Sequence, residues 1–151
     1  MRYGLRTIGY AFCLVFLGVM LMQTEASVRL QAPPLDLAQH HWEDRVILLF
    51  APENDDPTLK QQVALLQAEA NGIQERQLVI YRITGASDEA AALHQQYEVA
   101  PDAFAFLLIG KDGETKLHEA TPVTMQRLFG IIDAMPMRQR EMTTPPQKRA
   151  E

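Results

Sequence analysis

The chain has 151 residues, is 47% hydrophobic and carries a formal net charge of −5, from 14 basic and 19 acidic residues. That suits one globular domain with accessory segments, and the mild acidity mostly serves solubility. No long basic run exists, which disfavours nucleic-acid binding, and the lone cysteine, Cys13, leaves no disulfide framework.

The chain opens on an address. Arg2 and Arg6 give a basic start, Ile8 to Met22 is almost unbroken apolar sequence, and polar Gln23-Thr24-Glu25 precedes small Ala26 and Ser27. As a helix that apolar run would reach about 22 Å, short of the roughly 30 Å hydrocarbon core. The expectation is a signal peptide over residues 1–26 and a periplasmic or secreted mature protein. The alternative is an inner-membrane anchor formed by residues 8–22, the one route to a membrane. No cysteine follows the run, so no lipid anchor is expected. Without residues 1–26 the 14 basic and 19 acidic residues become 12 and 18, for a net charge of −6 and no thiol at all. The hydrophobic core alone must then hold the fold in a compartment that permits disulfides.

Residues 27–34 read as a linker ending in Pro33-Pro34. Leu35, Leu37 and Trp42 are expected to cover an edge or face of the first strand. Adjacent His40 and His41 point apart in regular structure, which argues against a metal site. Val46 to Phe50 is a short continuous apolar run, as in a strand covered on both faces. It runs into Asp55-Asp56-Pro57, whose carboxylates and proline suit a helix start. Helix one is expected from about Thr58 to Asn71, with Leu59, Val63, Leu66 and Ala70 inward, Gln62 toward solvent and Gly72 as C-cap.

Leu78 to Ile83 is the second strand, rich in β-branched residues. Ser87 caps a short helix to about Gln96, with Leu93 and Tyr97 inward and His94 solvated. Phe104 to Ile109 is the third strand, and Gly110-Lys111-Asp112-Gly113 turns it into a return strand, Thr115 to Glu119. A last helix, about Thr124 to Ala134, buries Met125, Leu128, Phe129 and Ile132, and Pro136 ends it. Met137 to Met142 adds a turn or short helix, and residues 143–151 read as a disordered tail.

Right-handed crossovers would make the first three strands parallel, with the hairpin adding an antiparallel fourth. The order resembles the thioredoxin fold over roughly Leu35 to Met135: α/β, a four-stranded mixed sheet flanked by helices. Within residues 35–142 the resemblance places Asn54 and Pro57 at the two positions of the Cys-x-x-Cys, and Ala105 near the superfamily's cis-proline, with Pro101 four residues earlier. Neither Asn54 nor Pro57 can attack a disulfide or peroxide. Leu48-Leu49-Phe50-Ala51-Pro52, Asp56-Pro57, the Gly110 to Gly113 hairpin and the Asp133 to Met142 ending also resemble an exported bacterial thioredoxin-like family of unknown function. Related domains occur in animal extracellular-matrix proteins with sushi repeats. The resemblance implies a fold and an exported setting, without catalytic residues.

The functional expectation is therefore a non-catalytic envelope module binding a protein or small ligand, with no cofactor and no metal. Its candidate surface is Asn54, Asp55 and Asp56 together with Met135, Met137, Arg138, Arg140 and Glu141. Met135 and Met137 either pack the helix end, with Arg138 paired to Glu141 or a helix C-terminus, or adapt to a partner whose carboxylate Arg138 or Arg140 binds. Packing explains more of these residues. The alternative is a hydrolase-type or metal-dependent enzyme using the Asp55 and Asp56 carboxylates with His40, His41 or His118, which requires those groups to converge.

Overall fold

The computed structural model describes residues 27–144. The expected leader with Cys13, and the end of the expected tail from Pro145, lie outside the described residues. Eleven elements lie among them, including a 3-10 turn over Leu37–His40. The strands are β1 (Leu30–Gln31), β2 (Arg45–Ala51), β3 (Leu78–Thr84), β4 (Ala105–Ile109) and β5 (Thr115–Glu119). The helices are α1 (Pro57–Ala68), α2 (Ala70–Glu75), α3 (Asp88–Gln96), α4 (Met125–Asp133) and α5 (Pro136–Thr143).

One mixed sheet has the order β1-β3-β2-β4-β5, so β2 lies at its centre and all seven of its residues are buried. Because successive side chains of a strand point to opposite faces, β2 serves two cores. Ile47, Leu49 and Ala51 pack with Leu59 and Leu66 of α1 and with Leu128 and Ile132 of α4. Val46, Leu48 and Phe50 pack on the other face with Ala90 and Leu93 of α3. The sheet has five strands against the four expected, because Leu30 and Gln31 pair in parallel with Ile80 and Tyr81.

The expectation of three parallel strands is corrected. β2 and β3 are parallel, but β4 runs antiparallel to β2, with Ala105 opposite Phe50 and Ile109 opposite Val46. The reason is where α3 ends. The last turn of α3 is still at the C-terminal end of β2, with the His94 and Tyr97 rings 5.0 and 6.1 Å from that of Phe50. The chain turns back there through Glu98 (φ 55°) and enters β4 from that same end. This also corrects His94, expected in solvent: it is buried against Phe50, with Nδ1 3.0 Å from the Val99 carbonyl oxygen.

Helix one is two helices. The backbone leaves helical geometry at Glu69 (φ −118°, ψ 34°), so Gly72 lies inside α2 and caps nothing. Its bare Cα makes room for α4, since a Cβ there would stand 2.7 Å from two ring carbons of Phe129. Gln62 is also corrected, being fully buried where solvent was expected. Its amide grips the loop before α4: Nε2 donates to the Val123 carbonyl at 3.2 Å, and Oε1 accepts from the Val123 N–H at 2.6 Å. Buried backbone groups with no ladder partner require such a substitute. Trp42, expected to cover the first strand, is 57% exposed and packs on His41. The β4–β5 turn follows the Asp-Gly signal, with Gly113 at φ 81°.

Candidate functional site

The expected surface divides between the two ends of β2, a strand about 20 Å long at its usual rise. At the C-terminal end, Asp56 is the N-cap of α1, its Oδ1 accepting from the Leu59 N–H at 2.9 Å, with Pro57 in the first turn. Asn54 Oδ1 accepts from the Thr84 hydroxyl at 2.7 Å, and Asp55 is exposed. The shallow depression here is lined by Asp55, Asp56 and their neighbours without a histidine. His40, meanwhile, lies between Asp44 and the Tyr81 hydroxyl, each at 3.0 Å. Among the described residues no group of three or more histidine, cysteine or acidic side chains is poised to hold a metal. The carboxylate alternative therefore gains no support, and Asp56 acts as a cap.

At the N-terminal end of β2 the chain gathers buried charge. Arg45, Lys111 and Arg138 are 1%, 7% and 4% exposed. Arg45 opens β2, Lys111 follows β4 in the turn, and Arg138 lies in the first turns of α5. Glu141 joins the first two: its carboxylate accepts from Arg45 Nη1 and Nη2, both at 3.2 Å, and lies 2.8 Å from Lys111 Nζ. Arg138 donates to Glu75 and, at 3.2 Å, to Asp133, which Arg76 also holds at 2.6 Å. Buried guanidinium groups stay charged, so each must find oxygen partners.

The carboxyl groups respond. Burial acts to raise Glu141, but hydrogen bonds from Lys111 and Arg45 outweigh it and hold the group below the usual range. Hydrogen bonds from Arg76 lower Asp133 against the opposing effect of burial, with Arg138 adding to them. Two residues with unusual backbone border the cluster. Gln77 (φ 50°) accepts Arg45 N–H on its carbonyl and the Lys111 ammonium on its side chain, and Trp42 (φ 67°) donates its N–H to the Lys111 carbonyl. Left-handed backbone at a side chain with a Cβ costs roughly 1–2 kcal/mol, which the surrounding bonds must offset.

Beside this cluster lies a cleft of about 400 Å³. Its lining combines charged side chains, Arg45, Lys111, Asp112 and Lys116, with an apolar stretch from Ile131 and Ala134 through Met137. Lys116 is held by Asp112 at 2.6 Å and Glu114 at 2.7 Å, hydrogen bonds that raise its ammonium pKa. Asp112 is lowered, because bonds from Lys116 and the Glu114 N–H overcome its burial. Met135 and Met137 thus line the cleft, Glu141 anchors its charged wall from behind, and Arg138 is buried as a structural cation. Arg140 is exposed and bonds back to the Pro136 carbonyl. Sequence reasoning missed Arg45, Lys111 and Lys116: the first opens β2, the second follows β4 and the third lies within β5.

Among the described residues the cleft brings three cations and one carboxylate together with an apolar lining. Solved structures share this fold. The architecture is similar to that of the reduced 2-Cys peroxiredoxin of Plasmodium vivax (16% identity, TM-score 0.58, 70% of this chain and 85% of that one). It is also similar to a thioredoxin from Thermus thermophilus (19% identity, TM-score 0.51, 70% and 85%). The sequence is 22% identical to coiled-coil domain-containing protein 80 of Danio rerio over 70% of this chain, which spans only 15% of that relative's length. Residues 36–141, from the 3-10 turn's cap to the glutamate that binds Arg45, match one family model throughout, and the chain belongs to that family, the domain of unknown function DUF4174.

Proposed function

We propose that this protein is a non-catalytic thioredoxin-like module of the cell envelope that binds a ligand in the cleft at the N-terminal end of β2. The cleft carries the reading: its lining joins apolar side chains, Met135 and Met137 among them, to the cations Arg45, Lys111 and Lys116. Pockets that combine apolar lining with a few fixed polar groups are the usual form of a binding site. At the opposite end, where thioredoxin-like enzymes place their thiols, this chain has Asn54 and Pro57, and its only cysteine is Cys13. The leader-like start, Met1 to Ala26, supports export, with a periplasmic or secreted destination.

The test is amide-resolved NMR of the exported protein against a small fragment library, with dithiol and peroxide turnover measured in parallel. The expected result is perturbation centred on Lys111, Lys116, Met135 and Met137 and no turnover. Fragments clustering at Pro52 to Pro57, or measurable turnover, would overturn it. Intact mass of the same material reports whether residues 1–26 have been removed.

A further inference from the structure

The cations of the cleft's charged wall have hydrogen-bond donors to spare. Arg45 Nη1 donates to the Arg76 carbonyl and to Glu141, and Nη2 donates to Glu141. The Nε–H of this fully buried side chain has no partner. Lys111 has two of its three N–H groups on Gln77 and Glu141, and Lys116 has two on Asp112 and Glu114. The wall's carboxylate, Asp112, is already engaged by Lys116 and by the Glu114 N–H. Arg and Lys can only donate, so what these three side chains leave open is donors.

The lining holds three cations and one carboxylate, and Glu141 and Glu114, which pair with those cations from outside the lining, bring the tally to three against three. Glu114 is 75% exposed, so its bond to Lys116 is weak and an occupant's oxyanion can take its place. The same cleft is lined by Ile131, Met135 and Met137. Methionine is flexible and polarizable, and it moulds to an apolar body of irregular shape. A purely apolar occupant would leave the donors unsatisfied, and a bare inorganic anion would leave the methionine wall wet.

Resting on the binding reading above, we infer that the cleft takes a small amphipathic anion, with its oxyanion head against Arg45, Lys111 and Lys116 and its apolar body against Ile131, Met135 and Met137. Its size, about 400 Å³, admits a medium-chain acyl or an aryl carboxylate.

The probe is octanoate, titrated into the full exported protein below its micelle-forming concentration and followed by amide shifts. Octan-1-ol and inorganic phosphate serve as the head-deleted and body-deleted controls. Saturable shifts are expected at Lys111, Lys116, Met135 and Met137, with each control binding at least about tenfold more weakly. Met137→Asp places a like charge in the apolar wall and should weaken octanoate by about tenfold or more. Lys116→Gln should weaken it by about threefold without disturbing the fold, since this side chain is partly exposed. Asp55→Ala, at the other end of β2, should change nothing.

Octan-1-ol or phosphate binding as tightly as octanoate would overturn the inference. So would unchanged affinity in a folded Met137→Asp variant. If octanoate fails while neutral fragments still shift these amides, the anion chemistry falls and the cleft remains the binding site. If neither class shifts them, both readings fall.

Discussion

Glu141 of α5 reaches Arg45, the first residue of β2, across 96 positions of sequence, with Oε1 and Oε2 each accepting from one guanidinium nitrogen at 3.2 Å. Few apolar contacts could replace this bond. The buried residue of α5 is Arg138, another cation, and the helix has no side-chain N-cap. Charge pairing therefore seats α5 on the fold, and seats with it the Met135 to Met137 turn that walls the cleft.

We predict that Glu141→Ala lowers stability by about 2–3 kcal/mol, because it strands two buried cations. Urea denaturation checks the size. Hydrogen exchange should show the amides of α5 opening well before those of β2. Full protection of α5 in the variant would mean that packing, not charge, holds the helix.

Gln62 supplies a second anchor. Replacing it with leucine keeps an apolar-compatible volume but leaves the Val123 N–H and carbonyl buried without their partner. The expected loss is about 2–3 kcal/mol by urea denaturation, larger than a change of core shape alone would give. A neutral result would show that water replaces the amide.

At the β2–α1 junction two neighbouring aspartates should behave differently. Asp56→Ala removes the cap on the Leu59 N–H and should cost about 1 kcal/mol, whereas Asp55→Ala should stay within about 0.5 kcal/mol. Thermal melts of the two variants decide this. Equal losses would give Asp55 a structural role that its exposure does not suggest.

How much of this was legible in the sequence follows from where each signal resides. Val46 to Phe50, Leu78 to Ile83 and Phe104 to Ile109 announce strands because their apolar runs are local and dense. The Asp56-Pro57 cap and the Asp-Gly turn are equally local, and both stand where expected. The charged cluster has no such signature: Arg45 meets Arg76, Lys111 meets Gln77 and Arg45 meets Glu141 across 31, 34 and 96 positions. Spacing says nothing about partners so far apart, and lone charges beside strands read as solvated. Gln62 did carry a local clue, since it lies on the stripe between Leu59 and Leu66, but its polarity argued the other way. The direction of β4 depends on how far α3 travels along the sheet, a quantity that element order does not encode.

Acid should dismantle the site from its carboxyl side. Glu141, Asp133 and Asp112 are all held below their ordinary values of 4.5, 3.8 and 3.8 by partners that exist only in the folded chain. A group lowered by folding contributes stability that is complete above its unfolded value and is lost as pH falls through its folded value. The urea midpoint of the wild type should therefore hold at neutral pH and drop from about pH 5 toward pH 2. In Glu141→Gln the group that titrates at the Arg45–Lys111 junction is gone. That variant should start lower at pH 7, and its gap from the wild type should narrow as the wild-type carboxyl takes up its proton. A constant gap across that range would show that Glu141 does not bind the two cations as an anion in solution.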